Sequence, residues 1–130
     1  MQIGVESARA VENRRIFVVD TDEIIRAALQ FMLHDENEAH ELESVEAALV
    51  KATDWPPDLI LLGQSLLQSE GLAALTRLTT ALPGAQVLLV GSAADPILSE
   101  ALAGGAHALI PVPLKLEAVR KAVDQALGRS

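Results

Sequence analysis

The 130-residue chain has no cysteine, no tyrosine, one tryptophan and two phenylalanines. Without cysteine, disulfides and thiolate metal sites are excluded. An aromatic share of 2% removes the stacking platforms on which single-stranded nucleic acid is held. Positive charge is also scarce. Ten Lys and Arg face eighteen Asp and Glu, a formal net charge of −8, and such a field repels phosphate backbones and anionic lipid. Nucleic acid and membrane are therefore not expected as partners. The longest apolar runs, such as LILL and VLLV, are far too short to cross a bilayer. The opening MQIGVESARAVENRR interrupts any leader-like stretch with Glu6, Arg9, Glu12, Arg14 and Arg15. A cytoplasmic protein is the expectation.

What is present is an aliphatic core for one domain, since half of the residues are apolar. IFVVD (16–20) reads as a strand buried on both faces. Ile24, Ile25, Ala28, Leu29, Met32 and Leu33 then recur at helical spacing over 23–34. A weak strand at 39–42 is expected at an edge, and Ser44 is placed to cap a helix reaching about residue 53. LILL (59–62) forms a central strand. Leu72, Leu75, Leu78 and Leu82 share one helical face over 71–82, and VLLV (87–90) follows. Asp95-Pro96 starts another helix and Gly104-Gly105 stops it. HALI (107–110) is a fifth strand whose trailing Pro111 suits only an edge. A last helix over 115–127 places Leu116, Val119, Val123 and Leu127 inward. Five strands alternating with five helices through short connections define an α/β class: a doubly wound parallel sheet with helices on both faces. Residues 1–14 read as a polar lead open to disorder, ahead of a single folded unit at 15–128.

The landmarks along residues 15–127 carry a family likeness. VVDTDE follows the first strand, PDLILL holds the third, Gly71-Leu72 opens the third helix, GAH (105–107) precedes the fifth strand, and Val112-Pro113 follows it. Together, and in this order, they resemble the receiver domain of two-component response regulators. The short α/β pattern alone would also fit other flavodoxin-like folds. The resemblance implies a five-stranded sheet of order 2-1-3-4-5, a cytoplasmic role in a phosphorelay, and a protein as partner.

In that family the third strand ends in an aspartate that accepts a phosphoryl group, beside two acids that hold Mg²⁺. Such transfer needs a carboxylate nucleophile, a hard cation and positive charge around the developing oxyanion. The resemblance places the nucleophile at Gly63. It places the acid pair at Asp20 and Thr21, with Asp22 one residue on, and the hydroxyl residue at Gly91, or at Ser92 by a shift of one. The lysine falls on Val112 and the aromatic switch residue on Leu109. Pro113 is retained, and the family implies a cis Val112-Pro113 bond. With nucleophile, one acid, hydroxyl, lysine and aromatic all replaced, the pocket is degenerate and the chain reads as a pseudo-receiver. Its expected role is that of an interaction or dimerisation module without cofactor, catalytic residue or metal. Asp20 and Asp22 are the residual cation candidates. The contact face implied by the resemblance offers Leu109, Lys115, Glu117, Arg120, Lys121 and Asp124.

Other readings stay open beside this one. Asp20 and Asp22 could simply serve amides at the start of a helix. IFVVDTDE also looks like the first motif of haloacid dehalogenase phosphatases, with Asp20 as nucleophile and Asp22 as acid/base, although HALIPVPL supplies no later acid. Thr21, Ser65 or Ser92 could act as a relocated phosphoacceptor. Ser65, Asp95 and His107 follow the chain order of a hydrolase triad, but Leu67 breaks the G-x-S-x-G elbow. The three histidines fall on separate elements, and Trp55 beside Pro56 and Pro57 reads as a loop packing anchor.

Overall fold

The computed structural model of the chain describes residues 14–129, so the polar lead lies almost wholly outside the described residues. Five parallel strands form one sheet in the order β2-β1-β3-β4-β5: β1 (Arg15–Val19), β2 (Glu38–Leu42), β3 (Leu59–Gly63), β4 (Gln86–Gly91) and β5 (Ala108–Pro111). The weak strand and the proline-tailed strand occupy the two edges, as expected. Six helices accompany them among the described residues: α1 (Glu23–Leu33), α2 (Val45–Ala52), α3 (Gln64–Glu70), α4 (Ala73–Ala81), α5 (Pro96–Ala103) and α6 (Leu116–Leu127).

Alternation along each strand sorts the core into two layers. Phe17, Val19, Ile60, Leu62, Val87 and Leu89 point to one face, under α2, α3, α4 and α5. Ile16, Val18, Leu59, Leu61, Leu88, Val90 and Ile110 point to the other, where Leu29 and Leu33 of α1 and Val119, Val123 and Leu127 of α6 close over them. β3 is buried along its whole length, which is why LILL carries no polar alternation.

The capping residues act as their positions suggest. The Asp22 carboxylate accepts from Ile24 N at 3.0 Å and Ile25 N at 3.1 Å. Ser44 accepts from Ala47 N, and Asp95 accepts from Ile97 N. The Val112-Pro113 bond is cis.

Three expectations need correction. Five helices become six, because α3 and α4 replace one helix over 71–82. The break is Gly71, at φ +79° and ψ −178°, an extended positive-φ conformation that glycine adopts without a Cβ penalty. The segment of α3 hides its helix because it is too short for a period to show, its only apolar pair being Leu66-Leu67. Both leucines are buried, and that burial holds the turn in place. Ile24, Leu72 and Leu116, expected inward, stand out from the core; Ile24 is 81% exposed. Ile24 and Leu116 lie in the first turns of their helices, and Leu72 precedes α4, where the chain has not yet closed on the sheet. Trp55, expected as a loop packing anchor, is 53% exposed, and its ring carries the Arg15 guanidinium at 5.1 Å.

Candidate functional site

Parallel strands deliver their carboxyl ends to one edge of the sheet, and a cleft lies there. β1 runs into Asp20, β3 ends on Gly63, β4 on Gly91, and β5 leads to Val112. A cavity of about 290 Å³ is bounded by Asp20, Asp22, Gln64, Ser65, Gly91 and Val112. Of the residues read from the sequence as the degenerate pocket, Asp20, Asp22, Gly91 and Val112 line this cavity; Gly63 lies against Asp20, and Thr21, Ser92 and Pro113 are not part of its lining.

Gly63 decides what the cleft can do. It is buried, and a Cβ built on it would fall inside the Asp20 carboxylate. The space in which any side chain at the tip of β3 would begin is occupied by the neighbouring acid. Asp20 is only 2% exposed, and its Oδ1 accepts from Asp22 N and Leu66 N, both at 3.3 Å. Asp20 therefore tethers the first turn of α3 to the end of β1, while Asp22 caps α1. Of the two readings of this acid pair, amide binding is the one the geometry displays.

Burial is the main reason the Asp20 carboxyl is pushed above the ordinary carboxylate range; its amide donors oppose this and the Asp22 charge adds to it. Among the described residues no cationic side chain pairs with the Asp20 carboxylate. Arg26, on α1, spends its guanidinium on the Asp20 backbone carbonyl at 2.9 Å and on Glu41 at 3.2 Å. Val112 contributes only apolar surface. Among the described residues, the lining of this cleft holds two carboxylates and no Lys or Arg.

The burial of Asp20 makes the stability of the domain depend on pH. Because its folded value is raised, the folded state binds a proton more readily than the unfolded chain between the ordinary value of 3.8 and the folded value. Stability falls as pH rises through that window, and the ionised penalty is complete above it. Asp20→Asn is expected to stabilise the domain at pH 7 by about 1 kcal/mol. The gain should vanish below pH 3.8. Urea titrations of both proteins at several pH values check the sign; a less stable Asn variant at neutral pH would mean that the carboxylate is satisfied.

The remaining hydroxyls are engaged locally. Thr21 Oγ1 donates to Ser65 Oγ at 2.8 Å, and Ser92 Oγ accepts from Ala94 N at 3.3 Å. His107 lies at the opposite edge of the sheet, where its backbone N donates to Val87 O and its Nδ1 accepts from Val87 N, so no triad with Ser65 and Asp95 is assembled. Among the described residues no group of three or more His, Asp or Glu is arranged to hold a metal ion.

Two functional-looking residues escaped the sequence reading. Gln64 and Gln68, four apart on α3, both aim their amides at Asp95 Oδ2, at 2.7 and 2.6 Å. The i,i+4 spacing was visible, but it has meaning only once α3 is known to be a helix. The residues of the expected contact face are divided. Leu109 packs on the α5 side of the sheet. Arg120 turns toward α1, bonding Asp35 at 2.8 Å and Met32 O at 3.4 Å, while Asp124 holds Arg129. Lys115, Glu117 and Lys121 face solvent.

Comparison with known proteins agrees with this architecture. The family model of the response regulator receiver domain matches residues 16–124, and the chain belongs to that family. The receiver domain of NtrX from Brucella abortus is 28% identical, with a TM-score of 0.79 over 88% of this chain and 99% of that one. The longer NtrX of the same organism, in complex with ATP, is 26% identical with a TM-score of 0.80; 89% of this chain matches, spanning 27% of that protein. A response regulator from Thermotoga maritima shares the fold at 19% identity, with a TM-score of 0.79 over 89% of this chain and 98% of that one. Comparison with curated proteins returns no match. No helix among the described residues is long and apolar enough to cross a membrane.

Proposed function

We propose that this receiver domain works without aspartyl phosphorylation, as a binding module for a protein in a two-component-type pathway of the cytoplasm. One observation carries the reading: the acceptor's place at the tip of β3 is a glycine whose would-be side-chain space holds the Asp20 carboxylate. Val112 supports it, because a valine cannot supply the point charge that grips a phosphoryl group. The face formed by α5, β5 and α6, with Leu109, Lys115, Glu117 and Lys121, is the proposed contact surface for a partner or a second copy of the chain. No catalytic step is assigned to the domain.

The test is capture of partners from the source cell with the protein as bait, before and after incubation with acetyl phosphate and Mg²⁺. The module reading expects the same partners at the same yield in both. A partner gained or lost only after phosphodonor treatment would overturn it. Hydrolysis of a chromogenic phosphate ester, abolished by Asp20→Asn, would instead favour the phosphatase alternative.

A further inference from the structure

The amide of Gln64 sits between the tips of β3 and β4 and reaches both sides of the loop at residues 92–95. Its Oε1 accepts from Ser92 N at 2.7 Å, and its Nε2 donates to Asp95 Oδ2 at 2.7 Å. The orientation is fixed by chemistry: a backbone N–H can meet only the amide oxygen, and an ionised carboxylate only the amide nitrogen. Gln68 donates to the same Asp95 oxygen, and Asp95 also caps the first turn of α5 through Ile97 N at 3.0 Å. The start of α3, the end of β4 and the start of α5 are thereby joined through one side chain.

Gly91 is matched to this arrangement. A Cβ at that position would lie 2.6 Å from Gln64 Cβ and 2.9 Å from Leu98 Cδ1, and would overlap Gln64 Oε1. Gln64 Cβ is fixed to the backbone of α3 and cannot swing away. Only a residue without a side chain leaves room for the glutamine to cross.

We propose that Gln64 is an internal latch that holds the β4–α5 loop, and with it the start of α5, in one permanent arrangement needing no ligand in the cleft. Gln64 does by a side-chain amide what an external group bound at the strand tips would otherwise have to do. The latch concerns the loop itself and goes beyond the binding-module reading. Its consequence for partners, that the α5 side of the contact surface has one fixed form, rests on that reading. Amide exchange at the loop reports the latch alone, whereas capture reports the module, so the two can fail separately.

Hydrogen exchange of the whole chain tests the latch. Gln64→Met keeps length and apolar bulk but removes both hydrogen-bonding groups. It is expected to speed exchange at Ser92 N–H at least tenfold, with smaller increases through Ile97 and Leu98, while amides of β1, β2 and α2 exchange as before. Gly91→Ser is expected to be destabilised and to show the same loosening, and the double variant Gly91→Ser/Gln64→Gly, which removes both the Gln64 Cβ and its amide, is expected to regain stability relative to Gly91→Ser. Unchanged exchange at Ser92 in folded Gln64→Met would overturn the latch, as would a Gly91→Ser variant whose stability Gln64→Gly fails to improve.

Discussion

Replacing Gly63 with aspartate is expected to lower the stability of the domain by about 2–4 kcal/mol in the absence of divalent cation. The new side chain would enter the volume held by the Asp20 carboxylate and force that group to rotate. Rotation releases the Leu66 and Asp22 amides that Asp20 now satisfies, and it leaves two buried carboxylates side by side, with Asp22 close behind. Like charges at such range raise each other's proton affinity and oppose folding at neutral pH. Three acids in one cleft are also an oxygen-rich set suited to a hard cation, so Mg²⁺ should return part of the loss to the variant. Urea unfolding with and without Mg²⁺ measures both effects. An aspartate accepted at no cost would show that the space above Gly63 is free.

The second large effect lies in the layer that positions the cleft. Phe17 is fully buried at the centre of β1, edge-on to His40 at a centroid distance of 6.0 Å. Its loss to alanine should cost about 3–5 kcal/mol, through lost transfer free energy and the cavity left behind. Against a typical total of about 5–15 kcal/mol, much of the folded population is at risk. Phe31 on α1 is the internal control, being 73% exposed with only a tilted contact to His34. Phe31→Ala should stay within about 0.5 kcal/mol of the parent. Chemical denaturation of the two variants separates burial from residue type; similar losses would place Phe31 in a packed interface that the isolated domain does not display.

Elements with a strong period or a buried run were legible from the sequence, because apolar spacing is what folds them. β3 and β4, the body of α1, and the caps Asp22, Ser44 and Asp95 all stand where the pattern puts them. The gathering of Asp20, Asp22, Gly63, Gly91 and Val112 was legible for a different reason: in a parallel sheet every strand ends at the same edge. What remained hidden depends on contacts between distant segments. α3 is stabilised by two buried leucines rather than by a repeating face, so periodicity passed over it. The Gln64 bridge spans 28 residues to Ser92 and 31 to Asp95, and no local pattern encodes it. The occupation of the Gly63 side-chain space by Asp20 likewise exists only when β1 and β3 lie side by side. The division of the α6 charges, with Arg120 drawn to Asp35 in the turn after α1 and to the Met32 carbonyl of α1, was set by the neighbouring segment rather than by α6 itself.

Whether the carboxylates of this cleft can accept a phosphoryl group separates a silent binding module from a phosphorylated switch. Intact-mass spectrometry of the parent chain after incubation with acetyl phosphate and Mg²⁺, followed by hydroxylamine, measures this directly. An unmodified mass at every time point is the predicted result, and a phosphorylated species that hydroxylamine removes is the result that would contradict it.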